Sequence, residues 1–291
     1  MRISPFMILI PFLLISANNI FSEPISNEKG ENPSGLEEIL KRCAEYCEKL
    51  ESSVLFFVCY EKIKEEIYQY PQGKTMVIRS SPERSASLSS QVLLPRPKRI
   101  VNNYIYDYQL IKKKDKIEES RTLLEENGKE KHEKNARLKT KRFYSERSAF
   151  GPVGFLSRDW QDMYSYTVIK EKTSYGRKVL VLEAKPKQKI KDKPNYGKIW
   201  VDKEDFSIIR IEIEQESLAG FEQVEEERRG SAKPVITVTH DYAIIKNGLR
   251  FPSQTTFKEE YDAGMGSLIK SRIHITYDNY RFFTVEVEVK Y

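Results

Sequence analysis

The first regular pattern in this chain is helical and lies between Leu36 and Leu50. Apolar residues recur there at spacings of three and four, and charged residues fill the positions between them. Ser34 and Glu37 stand at the spacing of a capping box, which satisfies backbone amides at the start of a helix. The pattern predicts one amphipathic helix near the amino terminus, and this is the only long helix that the sequence predicts.

Beyond this helix, apolar residues alternate with polar ones, as they do in half-buried strands. Asn127-Gly128 favours the tight turn of a hairpin. Residues 149–163 combine glycine, proline and large apolar residues, which predicts a short helix or a packed loop. The predicted strands cover residues 54–70, 100–112, 121–125, 130–135, 164–171, 177–185, 196–202, 207–214, 235–245, 249–260, 268–278 and 282–290.

The arrangement of these elements predicts the fold class. About eleven or twelve strands are joined mainly by hairpins and do not alternate with helices, which is typical of an antiparallel sheet. We therefore expect a mainly β protein of the α+β class. Residues 71–99 are rich in proline and serine, and they predict a disordered excursion within a single domain that spans residues 36–291.

Some predicted strands are apolar on both faces, notably within residues 179–182, 199–201 and 208–213. A region of this kind needs cover on each face, and one helix covers only part of one face. Two arrangements satisfy this requirement. Either the sheet curls until its strands pack on themselves, or its concave face lines an apolar groove that accepts a ligand.

The amino terminus has the profile of a signal peptide. Arg2 precedes an uncharged run at residues 6–17, which is about twelve residues long, whereas a membrane-spanning helix needs about twenty. We predict a signal peptide over residues 1–22, cleaved after Ala17 or Ser22, and a flexible tether over residues 23–35. The predicted location is the periplasm or cell envelope, and an uncleaved signal anchor is the alternative.

The three cysteines do not form a disulfide framework, because their number is odd. Cys43 and Cys47 share one face of the predicted helix, where a bridge between them would be strained. Two interpretations remain open. Cys47 can pair with Cys59, or all three side chains are small buried apolar groups.

Composition and motifs exclude several classes of function. The 49 Lys and Arg residues nearly balance the 43 Asp and Glu residues, so the net charge of +6 does not indicate nucleic-acid binding. The sequence contains no nucleophile elbow, phosphate-binding loop or zinc-binding spacing of cysteines and histidines. His132, His240 and His274 lie far apart in the sequence. We predict no catalytic residue, no metal ligand and no cofactor, with an exported enzyme of unrecognised site as a third interpretation.

In the carboxyl half, residues 196–205 (YGKIWVDKED) and 208–212 (IIRIE) place a glycine before an aromatic-containing strand, which an acidic turn follows. These segments resemble a hairpin of the outer-membrane lipoprotein-sorting proteins, the LolA-like family. Residues 247–252 (NGLRFP) and 275–280 (ITYDNY) resemble its closing strands. The resemblance extends over roughly residues 36–291. It implies a half-open antiparallel barrel of about 11–12 strands, with helices in its mouth.

The resemblance also implies a function without catalysis. An exported protein of this kind would bind lipid or the acyl chains of lipoproteins in an apolar concave groove, and envelope proteins are further possible partners. A sixteen-carbon acyl chain gains about 10 kcal/mol on burial before ordering costs. The alternative is a sensor or assembly module that uses the same scaffold to bind protein partners, which the small number of predicted helices favours.

One face of the predicted strands would line this groove, and the choice of face depends on the strand register. The opposite face, which includes Trp200, is the rival assignment. The predicted lining residues are Val179, Val181, Ile199, Val201, Ile209, Ile211 and Ile213.

Overall fold

The structure is a computed structural model. It describes residues 7–8, 35–53, 56–71, 96–113, 116–145, 151–174, 176–187, 194–218, 221–226, 233–262 and 267–283. Most of the predicted signal peptide, tether and excursion therefore lies outside the described residues, as do residues 284–290 of the last predicted strand. The single-domain organisation stays a prediction.

Helices are few and short, except for the first. They are α1 (Leu36–Ser53), α2 (Gly151–Leu156), α3 (Arg158–Gln161) and α4 (Phe221–Glu226), with a 3-10 turn at Gln215–Ser217. The strands are β1 (Met7–Ile8), β2 (Phe56–Gln69), β3 (Lys98–Lys113), β4 (Lys116–Glu126), β5 (Lys129–Lys134), β6 (Tyr144–Ser145), β7 (Tyr164–Ser174), β8 (Arg177–Pro186), β9 (Gly197–Asp202), β10 (Ile208–Ile213), β11 (Lys233–Asp241), β12 (Ile244–Lys246), β13 (Leu249–Phe251), β14 (Gln254–Asp262) and β15 (Ser267–Phe282).

One antiparallel sheet of eleven strands forms the body of the protein, in the order β5-β4-β3-β2-β15-β14-β11-β10-β9-β8-β7. The sheet is open, with β5 and β7 at its two edges. This confirms the predicted fold class, which is mainly β with an unclosed antiparallel sheet. Two small pairs accompany the sheet, namely the parallel pair β1–β6 and the hairpin β12–β13.

The predicted amphipathic helix is confirmed as α1, which packs on one face of the sheet. We call this face the inner face and the opposite one the outer face. Cys43, Cys47 and Leu50 are fully buried in the inner core, and the Tyr46 hydroxyl accepts a hydrogen bond from the amide of Arg250. The predicted short helix or packed loop is confirmed as α2 and α3, which lie beside α1.

An irregular segment, residues 136–143, covers another part of the inner face. Tyr104 donates its hydroxyl to the Lys139 carbonyl, and the Tyr106 hydroxyl accepts the Lys139 amide at 3.1 Å. Phe143 stacks on Phe257 with ring centroids 4.6 Å apart. The apolar pattern predicted no element here, because distant side chains of the sheet hold this segment in place and no local periodicity does.

Buried charges fasten the same segment to the sheet. The Arg142 guanidinium donates to both carboxylate oxygens of Glu259, at 2.6 and 3.0 Å. Glu65 accepts the amides of Lys141 and Arg142, at 2.6 and 3.2 Å, and the side-chain amide of Asn102. Removing one partner of such a buried pair is costly, because the other charge then stays buried without compensation.

Strand boundaries differ from prediction around residues 241–253. The predicted strands 235–245 and 249–260 are each interrupted, and their ends form the separate hairpin β12–β13. Asn247 and Gly248 adopt φ values of 52° and 74°, which form the tight turn of this hairpin, and Pro252 has no amide to continue a ladder. Apolar alternation continues across both interruptions, so it does not reveal them. The predicted hairpin at Asn127-Gly128 is confirmed as β4–β5.

Gly197 explains the glycine of the LolA-like hairpin pattern. A Cβ at this position would lie 2.0 Å from the Glu212 carbonyl oxygen, so β9 and β10 approach closely only because residue 197 has no side chain. We expect Gly197→Ala to lower the free energy of unfolding by about 3 kcal/mol, because backbone must separate from backbone. Urea denaturation followed by circular dichroism measures this change.

Gly35→Ala is the matched control, since a Cβ there meets nothing within 4 Å. Its free energy of unfolding should change by less than about 0.5 kcal/mol. Equal stability of the two variants would contradict the close approach of β9 and β10.

Candidate functional site

The predicted groove residues lie on two different faces of the sheet. Ile199, Val201, Ile211 and Ile213 belong to the inner core, together with Leu180 and Leu182. Val179, Val181 and Ile209 instead form a small outer cluster with Trp200. The structure therefore does not bring the predicted set together, and the rival assignment that included Trp200 corresponds to the outer cluster.

Strand register explains this division. Val181 pairs with Trp200, and Leu182 pairs with Ile199, so the odd positions of β8 share a face with the even positions of β9. A register shift between Ile208 and Arg210 then changes the alternation within β10. Neither feature follows from the apolar pattern of a single strand.

The inner face beside β10 is covered by α2. Pro152, Val153, Phe155 and Leu156 are buried there. A Cβ on Gly151 would lie 2.4 Å from the Tyr242 hydroxyl oxygen and 3.2 Å from Cδ1 of Ile211. The start of α2 therefore lies directly on a predicted groove residue, and the chain's own side chains fill this part of the inner face.

Neutral groups hold α2 in place. The Cys47 thiol donates to the Pro152 carbonyl at 3.5 Å, and the Tyr166 hydroxyl donates to the Phe155 carbonyl. The Gln161 side-chain amide donates to the carbonyl of Leu156 at 2.8 Å and to that of Leu40 at 2.7 Å. These hydrogen bonds add to apolar contacts, and none of them involves a charged side chain.

The thiols near α2 are inert. All three cysteines are free and buried, which confirms the interpretation as buried apolar groups and shows that the alternative pairing of Cys47 with Cys59 is wrong. Burial raises the pKa of Cys43 to about 12 and also raises the pKa of Cys47. Since the thiolate is the nucleophile, these groups are unsuited to covalent chemistry.

Beneath β3 and β4 the inner face carries charges that are paired within the protein. Arg121 donates to both carboxylate oxygens of Glu61, at 2.6 and 3.2 Å, and its guanidinium lies 4.6 Å from the centroid of the Tyr108 ring. Glu61 is fully buried. The inner face thus has an apolar half under α1 and α2 and a half with internally neutralised charges.

A cavity of about 230 Å³ lies between the end of β10 and the start of β11. Gln215 spans part of it by accepting the amide of Ile236 at 2.8 Å. Glu212 and Glu214 form ion pairs with Lys198. This cavity shares only Ile213 with the predicted groove. Its lining residues are Glu212, Ile213, Glu214, Gln215, Val235, Ile236 and Thr237.

Metal-ligating side chains do not cluster in the part of the chain that the structure describes. No group of three or more His, Cys, Asp or Glu side chains there can hold a metal ion. No described helix is long and apolar enough to cross a membrane. His240 lies opposite Ile211 on the inner face and contacts the Thr255 hydroxyl through Nδ1 at 2.9 Å.

The comparisons with known proteins give similarity of structure only. No protein-family model matches the chain, and no curated protein matches it in sequence. A DUF1329 family protein from Desulfovibrio piger has a similar structure, with 11% identity and a TM-score of 0.37, covering 85% of this chain and 92% of its own.

Two further solved structures carry the family name that the sequence resembles. An outer membrane lipoprotein-sorting protein domain from Vibrio parahaemolyticus is 13% identical with a TM-score of 0.35, covering 87% of this chain and 95% of its own. A LolA superfamily protein from Nitrosomonas europaea is 9% identical with a TM-score of 0.34, covering 85% of this chain and 94% of its own.

The buried histidine predicts a pH dependence of stability. Burial lowers the pKa of His240 to about 4, below its ordinary value of 6.5. Below pH 6.5 the unfolded chain binds a proton that the folded chain excludes, so stability falls as the pH drops from about 6.5 to about 4. We expect a loss of about 2 kcal/mol between pH 7 and pH 5 from this group, measured by urea denaturation.

His240→Gln isolates this contribution, because glutamine does not titrate and can still bond to Thr255. The loss of stability between the two pH values should be smaller in the variant by the same amount. Identical losses in both proteins would show that His240 is not the responsible group.

Proposed function

We propose that this protein binds the acyl chain of a lipid or lipoprotein on the inner face of its sheet, in the space that α2 fills in the structure. The proposal includes no catalytic step. The observation that carries it is that one six-residue helix, α2, covers the part of this face beside β10, and that apolar contacts and neutral hydrogen bonds hold it in place. Such a helix can be exchanged for another apolar group without separating ion pairs.

The burial of α2 and the burial of an acyl chain contribute comparable free energies. Val153, Phe155 and Leu156 each contribute about 1.5–3 kcal/mol by burial, or roughly 5–9 kcal/mol together. A sixteen-carbon acyl chain contributes about 10 kcal/mol before its ordering cost. Because the two values are close, an acyl chain competes with α2 and does not need a permanently open groove.

The strand register supports one choice of residues that would contact the ligand. Ile199, Val201, Ile211 and Ile213 lie on the inner face and would line the site beneath α2. Val179, Val181 and Ile209 lie on the outer face, so we do not include them in the proposed lining. The helix α1 would form the opposite wall through Cys43 and Cys47.

We further propose that the protein works in the periplasm or cell envelope. The support is the profile of residues 1–22, which is typical of an export signal. Lipid or lipoprotein acyl chains are available as ligands in that compartment, and envelope proteins are possible further partners.

A second candidate function is an interaction module that binds protein partners and carries no lipid. The observation that favours it is the filled inner face, where Ile199, Val201 and Ile211 are fully buried. In that case α2 is a permanent part of the core, and partners would contact the outer surfaces or the sheet edges. The two functions differ in whether α2 can be displaced.

Two glycine substitutions in α2 test this difference. Gly151→Ala places a methyl group against Tyr242 and Ile211, so it should weaken the docking of α2 and favour the open form. We expect the affinity for a fluorescent sixteen-carbon fatty acid to rise about tenfold, which corresponds to about 1.4 kcal/mol of lost docking energy. Fluorescence titration of the folded variant measures the affinity.

Gly154→Ala is the matched control on the same helix, because its added Cβ meets nothing within 4 Å. Its affinity for the fatty acid should equal that of the unchanged protein. If neither the protein nor Gly151→Ala binds the probe, acyl binding is refuted and the interaction module is favoured. An equal rise in both glycine variants would refute the displacement of α2.

A further inference from the structure

Two of the most exposed large apolar side chains in the described part of the protein lie at the same end of the sheet. Ile245 is 57% exposed at the β12–β13 hairpin, and Phe283 is 54% exposed just after β15. The two positions are connected through packed side chains. Ile244 pairs with Phe251, whose ring centroid lies 4.8 Å from that of Phe282, the residue before Phe283.

The hairpin that presents Ile245 is firmly held. Arg250, the cross-strand partner of Ile245, is buried and donates to the Ser207 hydroxyl at 2.6 Å and to Asp202 at 3.4 Å. Its amide donates to the Tyr46 hydroxyl at 3.0 Å. The exposure of Ile245 is therefore a fixed feature of the fold and does not come from a loosely packed loop.

Phe283 likewise follows a well-packed aromatic cluster. The Tyr280 and Phe282 rings stack with centroids 5.7 Å apart, and both contact Phe57. The Tyr280 hydroxyl donates to the Pro252 carbonyl at 2.7 Å, which joins this cluster to the chain that follows the hairpin. Both exposed apolar side chains thus extend from one rigid support.

One basic residue adjoins each of these two side chains, or nearly so, in the chain. Lys246 is exposed in the hairpin, and Arg281 is 51% exposed with only a distant contact of 3.9 Å to Asp107. We call this set the basic rim. It comprises Ile245, Lys246, Arg281 and Phe283.

We propose that the basic rim docks on an anionic phospholipid bilayer. Two exposed apolar side chains near Lys246 and Arg281 match the membrane interface, where apolar groups enter the acyl boundary and basic groups contact anionic headgroups. A protein partner would be better matched by a contiguous apolar patch. This inference goes beyond acyl binding, because docking can occur whether or not the inner face takes a ligand.

Site-specific fluorescence tests the docking. The native cysteines are buried, so a cysteine introduced at an exposed site can be labelled selectively with an environment-sensitive dye. We would label the full chain at Ile245→Cys, Phe283→Cys and, as control, Val235→Cys. Val235 is 42% exposed but lies near the other end of the sheet, opposite Glu260 in β14.

We expect vesicles of phosphatidylcholine mixed with phosphatidylglycerol to shift the emission of the dye to the blue at positions 245 and 283 but not at 235. Vesicles of phosphatidylcholine alone should give a smaller shift. Because every variant carries the same amino-terminal apolar run, only the rim can account for a difference between the sites. No shift at 245 and 283, or an equal shift at 235, would overturn the proposal.

A second pair of variants separates docking from acyl binding. Ile245→Ser combined with Phe283→Ser should lower the affinity for the mixed vesicles about tenfold or more, whereas Val235→Ser should leave it unchanged. Unchanged vesicle affinity in the double variant would overturn the docking surface. The fluorescent fatty acid is titrated in parallel. If the fatty acid does not bind, the proposed function is refuted but the docking proposal is not, because the vesicle result does not depend on acyl binding.

Discussion

The structure depends on the cover of one apolar sheet face by short pieces of the same chain. An open sheet of eleven strands cannot leave its inner face in water, because the hydrophobic cost would exceed the small net stability of a folded domain. The cover comes from α1, α2 and the irregular segment at residues 136–143, each held by different interactions. Charge pairs fasten the irregular segment, whereas neutral contacts hold α2.

Because charge pairs hold residues 136–143 and neutral contacts hold α2, the two halves of the inner face have different properties. Removing residues 136–143 would take the Arg142 guanidinium from buried Glu259 and two backbone amides from buried Glu65, which is strongly unfavourable. Removing α2 exposes apolar surface but breaks no ion pair. Only the apolar half therefore allows a cover that can be exchanged, and this is the physical basis for the binding site that we propose there.

Much of the fold was predictable because local patterns determine it. The spacing of three and four defined α1, the period of two defined most strands, and Asn127-Gly128 defined a hairpin. The groove was less predictable, since it depends on how neighbouring strands align. The pairing of Val181 with Trp200 and the register shift after Ile208 divided the predicted lining between two faces. The cover by residues 136–143 depends on long-range partners such as Glu259, which no local pattern reveals.

The three buried thiols have a consequence for the biogenesis of the protein. In an oxidising compartment, Cys43, Cys47 and Cys59 are protected only after the core has formed, because burial is what makes them unreactive. Folding requires β2 to pair with β15, far away in the sequence, and such long-range pairing is slow. If the chain is exported as we propose, core formation competes with the formation of incorrect disulfides, and factors that delay oxidation or keep the chain reduced would raise the yield of native protein.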